Sequence, residues 1–469
     1  MPIRALFIWP GSRNEVLGWG DLGAVAEPLA LEYLAAALSQ DGHTSEILDL
    51  RLHPGALAAT LARLRPDLVG ITAFSMHVAS ARAIAAEVKR LSPTTQVIVG
   101  GHHATFLPED FFDPSIDHVV AGEGMGPVRA VAAAIAGGTD PEPCPGLFSR
   151  RDGVFHGSGR SLPDGEWGDG LQPDRSLTAA DRRHYFIDAM KPIALMRTTA
   201  GCPYRCTFCS IWKALDGRYY MRDIDPVVAE LAAIDEENVF LVDDEAFINQ
   251  RRMLALAEAI AAAGIRKNYF TYCRIDTLIR NRAAIEAWRD IGLRRLFVGI
   301  DAISETDLDL YNKRCSVSQV EEGIALAREI GIDIFAQFVV SPEAQPHHFK
   351  KLVRFIEHHG LTYPSFTVLT PLPGTEIFDP AQITSTTPDG RPDWQLFDCQ
   401  NAVTDTAMDA ADFRREYRNL YKVFKGSYTQ YREYTPRIEE LDAAEALRTG
   451  HPTSAVRLTQ GKDVMRTVP

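Results

Sequence analysis

The sequence has no apolar run near the roughly 18 residues that a membrane-spanning helix needs, no block of lysine and arginine, and no cysteine before Cys144. The first absence leaves no candidate for an integral membrane segment. The opening stretch Met1-Pro2-Ile3-Arg4-Ala5-Leu6-Phe7-Ile8-Trp9 is stopped by Pro10-Gly11 after too few apolar residues for a signal peptide, so it reads as the buried first strand of a cytoplasmic protein. The second absence, with 49 Lys and Arg against 62 Asp and Glu and a formal net charge of −13, argues against a nucleic-acid backbone as the main partner. The seven cysteines, Cys144, Cys202, Cys206, Cys209, Cys273, Cys315 and Cys399, are odd in number with one tight cluster, which is metal usage and not a disulfide framework. Compositional bias toward collagen, coiled coil or disorder is missing as well. At 469 residues the chain exceeds one ordinary core, and two or three domains are expected.

What is present is Thr198-Thr199-Ala200-Gly201-Cys202-Pro203-Tyr204-Arg205-Cys206-Thr207-Phe208-Cys209-Ser210, where three cysteines fall inside eight residues. The spacing C-x3-C-x2-C lets three thiolates close round one centre from a single loop, and soft thiolates select iron or zinc. A structural zinc wants a fourth ligand nearby, yet the next cysteine is Cys273 and no histidine follows before His347. A four-iron cubane on three cysteines leaves one iron open to an outside ligand. That reading is preferred over structural zinc or unconnected buried thiols. The loop resembles the signature of the radical S-adenosylmethionine (SAM) superfamily, C-x3-C-x-aromatic-C, with Phe208 as the aromatic. The resemblance implies that the open iron of a [4Fe–4S] cluster chelates the amino and carboxylate groups of SAM, and that reductive cleavage yields a 5′-deoxyadenosyl radical.

Upstream, short apolar runs at Ala5–Trp9, Ser45–Asp49, Leu68–Thr72, Gln96–Val99 and His118–Ala121 alternate with helical periodicity at Pro28–Gln40, Leu57–Leu64, Val78–Leu91 and Gly126–Ile135. The alternation predicts an α/β domain over residues 1–140, a Rossmann-like parallel sheet with ligands at strand carboxyl ends. Three such ends are small or polar: Ser75-Met76-His77, Gly100-Gly101-His102 and Gly122-Glu123. Each alone is explained by a tight turn, a solvated histidine or an acid at a helix start. In this order, ahead of the cysteine loop, they resemble the cobalamin-binding domain that many radical SAM enzymes carry. The resemblance implies that Ser75, Met76, His77, Gly100, Gly101, His102, Gly122 and Glu123 line a cobalamin. One departure stands out: the D-x-H-x-x-G element that places histidine below cobalt in the mutases is replaced by Pro10-Gly11-Ser12-Arg13-Asn14-Glu15, which leaves the lower ligand unassigned.

Residues 141–190, rich in Gly, Pro, Asp and Arg, read as a linker with a small hairpin around Gly146–His156, and Tyr185 in it reads as packing. Strands then return at Ala194–Thr198, Asn238–Val242, Tyr269–Arg274, Arg295–Ile300, Asp333–Val340 and Ser365–Leu369. Helices read at Pro226–Ile234, Arg251–Ala263, Ala283–Ile291, Val317–Ile330 and His347–His359. Six βα units resemble the partial (β/α)6 TIM-type barrel of the radical SAM family, here over 191–385, with functional groups at strand ends. The resemblance implies SAM contacts from Phe208, Asp243, Asp244, Glu245, Arg274, Asp301, Ser304 and Gln337, and Pro371-Leu372-Pro373-Gly374-Thr375 is similar to the family's P-x-P-G-T turn. Arg218, Tyr219, Tyr220 and Arg222 are placed to brace the loop or meet substrate, and Trp212 to pack.

Beyond residue 386, Phe413, Tyr417, Leu420, Tyr421 and Phe424 form an apolar stripe at helical spacing, so a mostly helical cap is expected over 386–469. Tyr428, Tyr431 and Tyr434 are candidates for the substrate cavity, and the stretch from Gly450 reads as loosely ordered. The chain thus resembles the group of the anaerobic magnesium-protoporphyrin cyclase and the radical SAM carbon methyltransferases. That implies an enzyme that functionalises an unactivated carbon of a small molecule, foremost by methylation, with an electron donor such as flavodoxin or ferredoxin as partner. Oxidation, cyclisation or carbon–carbon bond formation is the alternative, and no single residue identifies itself as catalytic. A tRNA methylthiotransferase is disfavoured, because that family carries a second cysteine cluster upstream where this chain has none. A non-catalytic carrier is the remaining reading.

Overall fold

The computed structural model describes residues 1–11, 24–163, 170–188 and 190–424. Tyr428, Tyr431, Tyr434, the stretch from Gly450 and Ser12–Glu15 lie outside the described residues.

Seven strands form the first sheet: β1 (Arg4–Trp9), β2 (Thr44–Asp49), β3 (Leu68–Thr72), β4 (Gln96–Gly100), β5 (His118–Val120), β6 (Leu147–Arg151) and β7 (Val154–His156). Their order is β2-β1-β3-β4-β5-β6-β7, parallel as far as β5 and antiparallel thereafter. The parallel strands are continuous apolar runs because helices cover both faces. These are α1 (Leu29–Gln40), α2 (Leu57–Leu64), α3 (Val78–Leu91) and α4 (Met125–Gly137), and two apolar cores fill the two faces. Strand order reverses about β1, so the crevice for a ligand opens at the carboxyl ends of β1 and β3. The boundary expected at residue 140 is corrected here. The hairpin was legible from its turn, but β6 pairs with the edge of β5 and belongs to this sheet, which no local sequence signal reveals.

The second sheet has six strands: β8 (Ile193–Met196), β9 (Asn238–Leu241), β10 (Asn268–Arg274), β11 (Leu293–Asp301), β12 (Asp333–Val340) and β13 (Tyr363–Val368). They pair in sequence order, all parallel. Between them run α5 (Ile224–Ala233), α6 (Gln250–Ala262), α7 (Arg282–Ile291), α8 (Val317–Ile330) and α9 (Pro346–His358). Their starts follow local chemistry: Asn249 caps α6, and Ser316 with Gln319 forms a capping box on α8. Alternation along the strands separates two faces. Tyr269 meets Trp288 on α7, Phe338 meets Phe355 on α9, and Phe366 meets Tyr421. The residues between them therefore face the concave side. There, in register across strands, Tyr272, Phe297, Phe335 and Tyr363 form one layer, and Arg274, Gly299, Gln337 and Ser365 form the next toward the carboxyl ends.

At the C-terminal side, α10 (Ala410–Phe424) buries Phe413, Tyr417, Leu420, Tyr421 and Phe424 as the stripe required. The expectation of a mostly helical region from 386 is corrected for its first part. Residues 383–403 contain only a single short turn of helix, at Trp394–Leu396, and pack back onto the first domain, where Ile383, Trp394, Phe397 and Val403 join its core. Trp394 lies edge-on to His103 at 4.7 Å. A segment that binds through isolated side chains shows no periodicity to find.

The two domains are joined by a buried ionic seam. Arg175 and Arg182 of the connecting segment both pair with Glu27, and Arg175 also reaches Glu230 of α5 at 2.8 Å. Thr178 Oγ1 donates to Glu32 Oε1 at 2.5 Å. Burial, with the charge of Glu27, pushes the Glu32 carboxyl up to about 8 against the pull of Arg175. Tyr185 is fully buried with Val25 and Phe186 beside this seam.

Candidate active site

The cysteine loop leaves β8 and is held by acids from the end of β9. Asp243 accepts from the backbone N–H groups of Thr198 (2.6 Å) and Thr199 (2.8 Å) and from Thr198 Oγ1 (2.6 Å). Asp244 accepts from Gly201 N at 2.7 Å. Gly201 has φ +90, and a Cβ there would lie 2.1 Å from Arg218 O, so only glycine lets the 218–221 segment cross. That segment pairs with Thr199–Ala200, while Arg222 donates to Arg197 O and to Glu230. Trp212 Nε1 donates to Cys206 O at 3.3 Å.

Cys202, Cys206 and Cys209 carry free thiols. Burial pushes the Cys202 and Cys209 thiols up to about 12, so formation of their thiolates is coupled to metal binding. Among the described residues no three His, Cys, Asp or Glu side chains converge on one ion position, the arrangement a mononuclear zinc requires. A cubane asks less of the bare loop, because each thiolate meets its own iron.

Around these thiols the strand ends form a charged ring. Arg274 donates to Cys206 Sγ at 3.4 Å, to Asp276 at 2.9 Å and to Lys313 O at 2.5 Å, with its guanidinium 3.8 Å above the Tyr204 ring. Glu245 is buried and accepts from Arg274 N at 2.7 Å through Oε2, while its Oε1 has no hydrogen-bond partner among the described residues. Burial, opposed by Arg274, pushes the Glu245 carboxyl up to about 7. Asp301 pairs with the buried Lys313 beside Gly299. Sequence reasoning missed Lys313. Asn312 and Arg314 on either side have φ of 50 and 55, and this left-handed turn sends the lysine inward. Not every expected residue faces this ring with a free group. Ser304 caps the short helix Glu305–Leu310, Gln337 donates to Phe338 O and Thr367 Oγ1, and Phe208 lies edge-on to Tyr311. Ser365 Oγ, in the Gln337 layer, is buried with no hydrogen-bond partner among the described residues.

The carboxyl ends of the first sheet are different in kind. Trp9, Phe74 and His102 form an aromatic floor, Phe74 being 6.1 Å from each and 42% exposed. Gly101 has φ +104, and a Cβ there would lie 2.7 Å from Ala73 N, so its glycine serves the β3–β4 approach; Gly100 meets no such conflict. Ser75 is buried and bonded to His103 Nδ1 at 3.0 Å, with Asp110 on the other ring nitrogen. His77 is buried against Phe74, and Met76 is half-buried beside it. Gly122 carries the 161 segment, and Glu123 accepts twice from Met125 N at the start of α4. The exposed Phe74 ring between Trp9 and His102, with the Arg51 guanidinium 4.4 Å from the Trp9 ring, fits the face of a flat macrocycle, and the Glu245 oxygen that has no partner among the described residues fits a bound cation.

One contact joins this floor to the cysteine loop: His102 Nε2 bonds Ser210 Oγ at 2.7 Å, one residue from Cys209. Phe106, its ring 5.3 Å from that of His102, fills the space a Cβ on Gly374 would need. Burial pulls the His102 imidazole down to about 4, so it bonds Ser210 as a neutral ring.

Two families match in succession: the B12 binding domain over residues 19–132 and the radical SAM superfamily over residues 196–356. Hopanoid C-3 methylase of Methylococcus capsulatus is 31% identical over 417 residues, spanning 86% of this chain and 77% of that protein. The chain belongs to the cobalamin-binding radical SAM family. Its cofactors are accordingly a [4Fe–4S] cluster, SAM and cobalamin. Another family relative, the anaerobic magnesium-protoporphyrin IX monomethyl ester cyclase of Rubrivivax gelatinosus, is 24% identical over 80% of this chain and 69% of its own length. The fold of this cobalamin-binding radical SAM enzyme is that of the radical SAM methyltransferase TsrM from Kitasatospora setae, at TM-score 0.64 and 19% identity over 91% of this chain and 89% of that one. Among the described residues no helix is long and apolar enough to cross a membrane.

Proposed function

We propose that this radical SAM enzyme transfers a methyl group to an unactivated carbon of an apolar small molecule, in the cytoplasm. The observation that carries the proposal is the His102–Ser210 bond, which sets the aromatic floor of one domain against the cysteine loop of the other. When bound, the cluster with SAM would supply a carbon-centred radical, and cobalamin would supply a transferable methyl group.

The chain's own part is placement. Cys202, Cys206 and Cys209 would each hold an iron, and Asp243 fixes the loop that carries them. Glu245 Oε1 would accept from the amino group of SAM, and Lys313 and Arg274 would supply the positive charge for its carboxylate. Asp244 sets the loop through Gly201, and Ser304 and Gln337 position the ends of β11 and β12. Phe74, His102, Met76 and Gly100 would meet the corrin, with Ser75 and His77 packed beneath. Below the Arg274 layer, Tyr272 at 5.0 Å and Phe335 at 5.1 Å flank Phe297, an apolar lining that keeps water from a reactive centre. The similarity to a hopanoid methylase and to bacteriochlorophyllide methyltransferases supports an apolar polycyclic substrate.

The test is anaerobic reconstitution of the full chain, with iron, sulfide and corrin quantified and 5′-deoxyadenosine measured after dithionite and SAM are added. About four irons, one corrin and 5′-deoxyadenosine are expected. A full cluster with no bound corrin would remove methyl transfer. The match to the cyclase favours oxidative ring closure as a second reading, and methyl-labelled SAM separates the two by whether label reaches product.

A further inference from the structure

Cleavage of SAM consumes one electron at the cluster, and three sides of the cysteine loop are covered. Ser210 faces His102, Thr207 O accepts from Glu376 N, and Cys206 faces Arg274 of the barrel. The fourth side is open, with Pro203 and Arg205 exposed. Here the chain departs from its net charge of −13. Arg205 and Lys213 both lie over one aromatic ring, 5.6 Å and 5.3 Å from the Trp212 centroid. Exposed Arg280 donates to Tyr204 OH at 3.0 Å. Exposed Arg314 donates to Asn312 Oδ1 at 3.4 Å, and Asn312 in turn donates to Arg205 O at 2.7 Å, which ties this turn to the loop. Leu310 is 65% exposed, with its carbonyl accepting from Thr207 Oγ1. Asp276, 3.9 Å from Arg280 and accepting from Tyr204 OH, is an acid of this face, and Asp309 and Glu376 are exposed acids near it in the chain.

From this arrangement, which rests on the function proposed above, we infer that the Arg205–Arg280–Arg314 face, centred on Leu310, is the docking surface for an acidic single-electron carrier protein. Positive charge around an apolar centre, one residue from a cluster ligand, steers an acidic partner and sets it down where the electron must enter. The carrier gives up one electron and the oxidised cluster accepts it, with no atom or proton transferred.

The experiment is stopped-flow reduction of the reconstituted full chain by flavodoxin in its fully reduced form, with dithionite in a parallel arm, for wild type, R205E/R314E and R205K/R314K. At low salt, reduction of R205E/R314E by flavodoxin is expected to be at least about tenfold slower than wild type. R205K/R314K should match wild type, added salt should slow only the two positively charged forms, and dithionite should reduce all three alike. Equal flavodoxin rates in wild type and R205E/R314E would overturn the proposal, as would a loss that dithionite shares. A wild-type chain that dithionite cannot reduce at all would overturn the functional reading together with it.

Discussion

The two halves of the site hold their ligands by opposite means. In the barrel, the groups at strand ends are buried acids and bases, most of them committed to a partner: Asp243 to the loop backbone, Asp301 to Lys313, Arg274 to Asp276. In the first domain the corresponding ends present rings and bare backbone, Trp9, Phe74, His102 and Gly100. A small charged ligand is fixed by a few strong directed groups, whereas a broad macrocycle is fixed by the shape of a surface. The barrel site should therefore fail at single side chains, and the cobalamin floor should fail only when its shape changes.

Cys206→Ala gives the largest effect. Iron content and 5′-deoxyadenosine formation should fall to background while corrin retention stays at the wild-type level, since no residue of the floor is touched. Loss of both cofactors together would erase the contrast between the halves. Lys313→Met comes next, because it strands Asp301 as a lone buried charge. Removing one partner of a buried pair costs about 3–5 kcal/mol, to be read as a lower melting temperature together with weaker SAM binding by equilibrium dialysis. Gly101→Ala is expected to cost roughly 1–3 kcal/mol, because it combines a positive φ with a Cβ 2.7 Å from Ala73 N. It should lower corrin retention but leave dithionite-driven SAM cleavage intact.

The smallest effect lies in the seam between the halves. The folded-state value of Glu32, about 8, stands above its ordinary 4.5, so protonated Glu32 stabilises the native chain fully below 4.5 and that stability is lost as pH rises through about 8. Glu32→Gln keeps the neutral form, and its melting temperature should gain on wild type across this window. A difference that is flat with pH would show that the seam does not report on Glu32.

The same contrast explains what was legible in the chain. The parallel strands of both sheets announce themselves because burial on two faces demands continuous apolar runs, and α8 at Val317–Ile330 has both its capping box and its terminal glycine in the sequence. The three cysteines are legible because covalent ligation tolerates no substitute. Lys313 was not, since Asn312 can mark a left-handed turn but nothing local shows that the turn aims the lysine at the site. Trp394 was not, because it packs on His103 from a segment with no period. The floor around Phe74 was only half legible: glycines mark turns, but whether a turn serves a ligand or, as at Gly101, a neighbouring backbone is decided by distance alone.

The most direct test of the central claim, that one chain presents a cobalamin to the mouth of a radical SAM barrel for methyl transfer, is to follow the label from methyl-labelled SAM in the anaerobically reconstituted, cobalamin-loaded full chain under reducing conditions. The account predicts labelled methyl on the protein-bound corrin alongside 5′-deoxyadenosine. Formation of 5′-deoxyadenosine with no label on the corrin would contradict it.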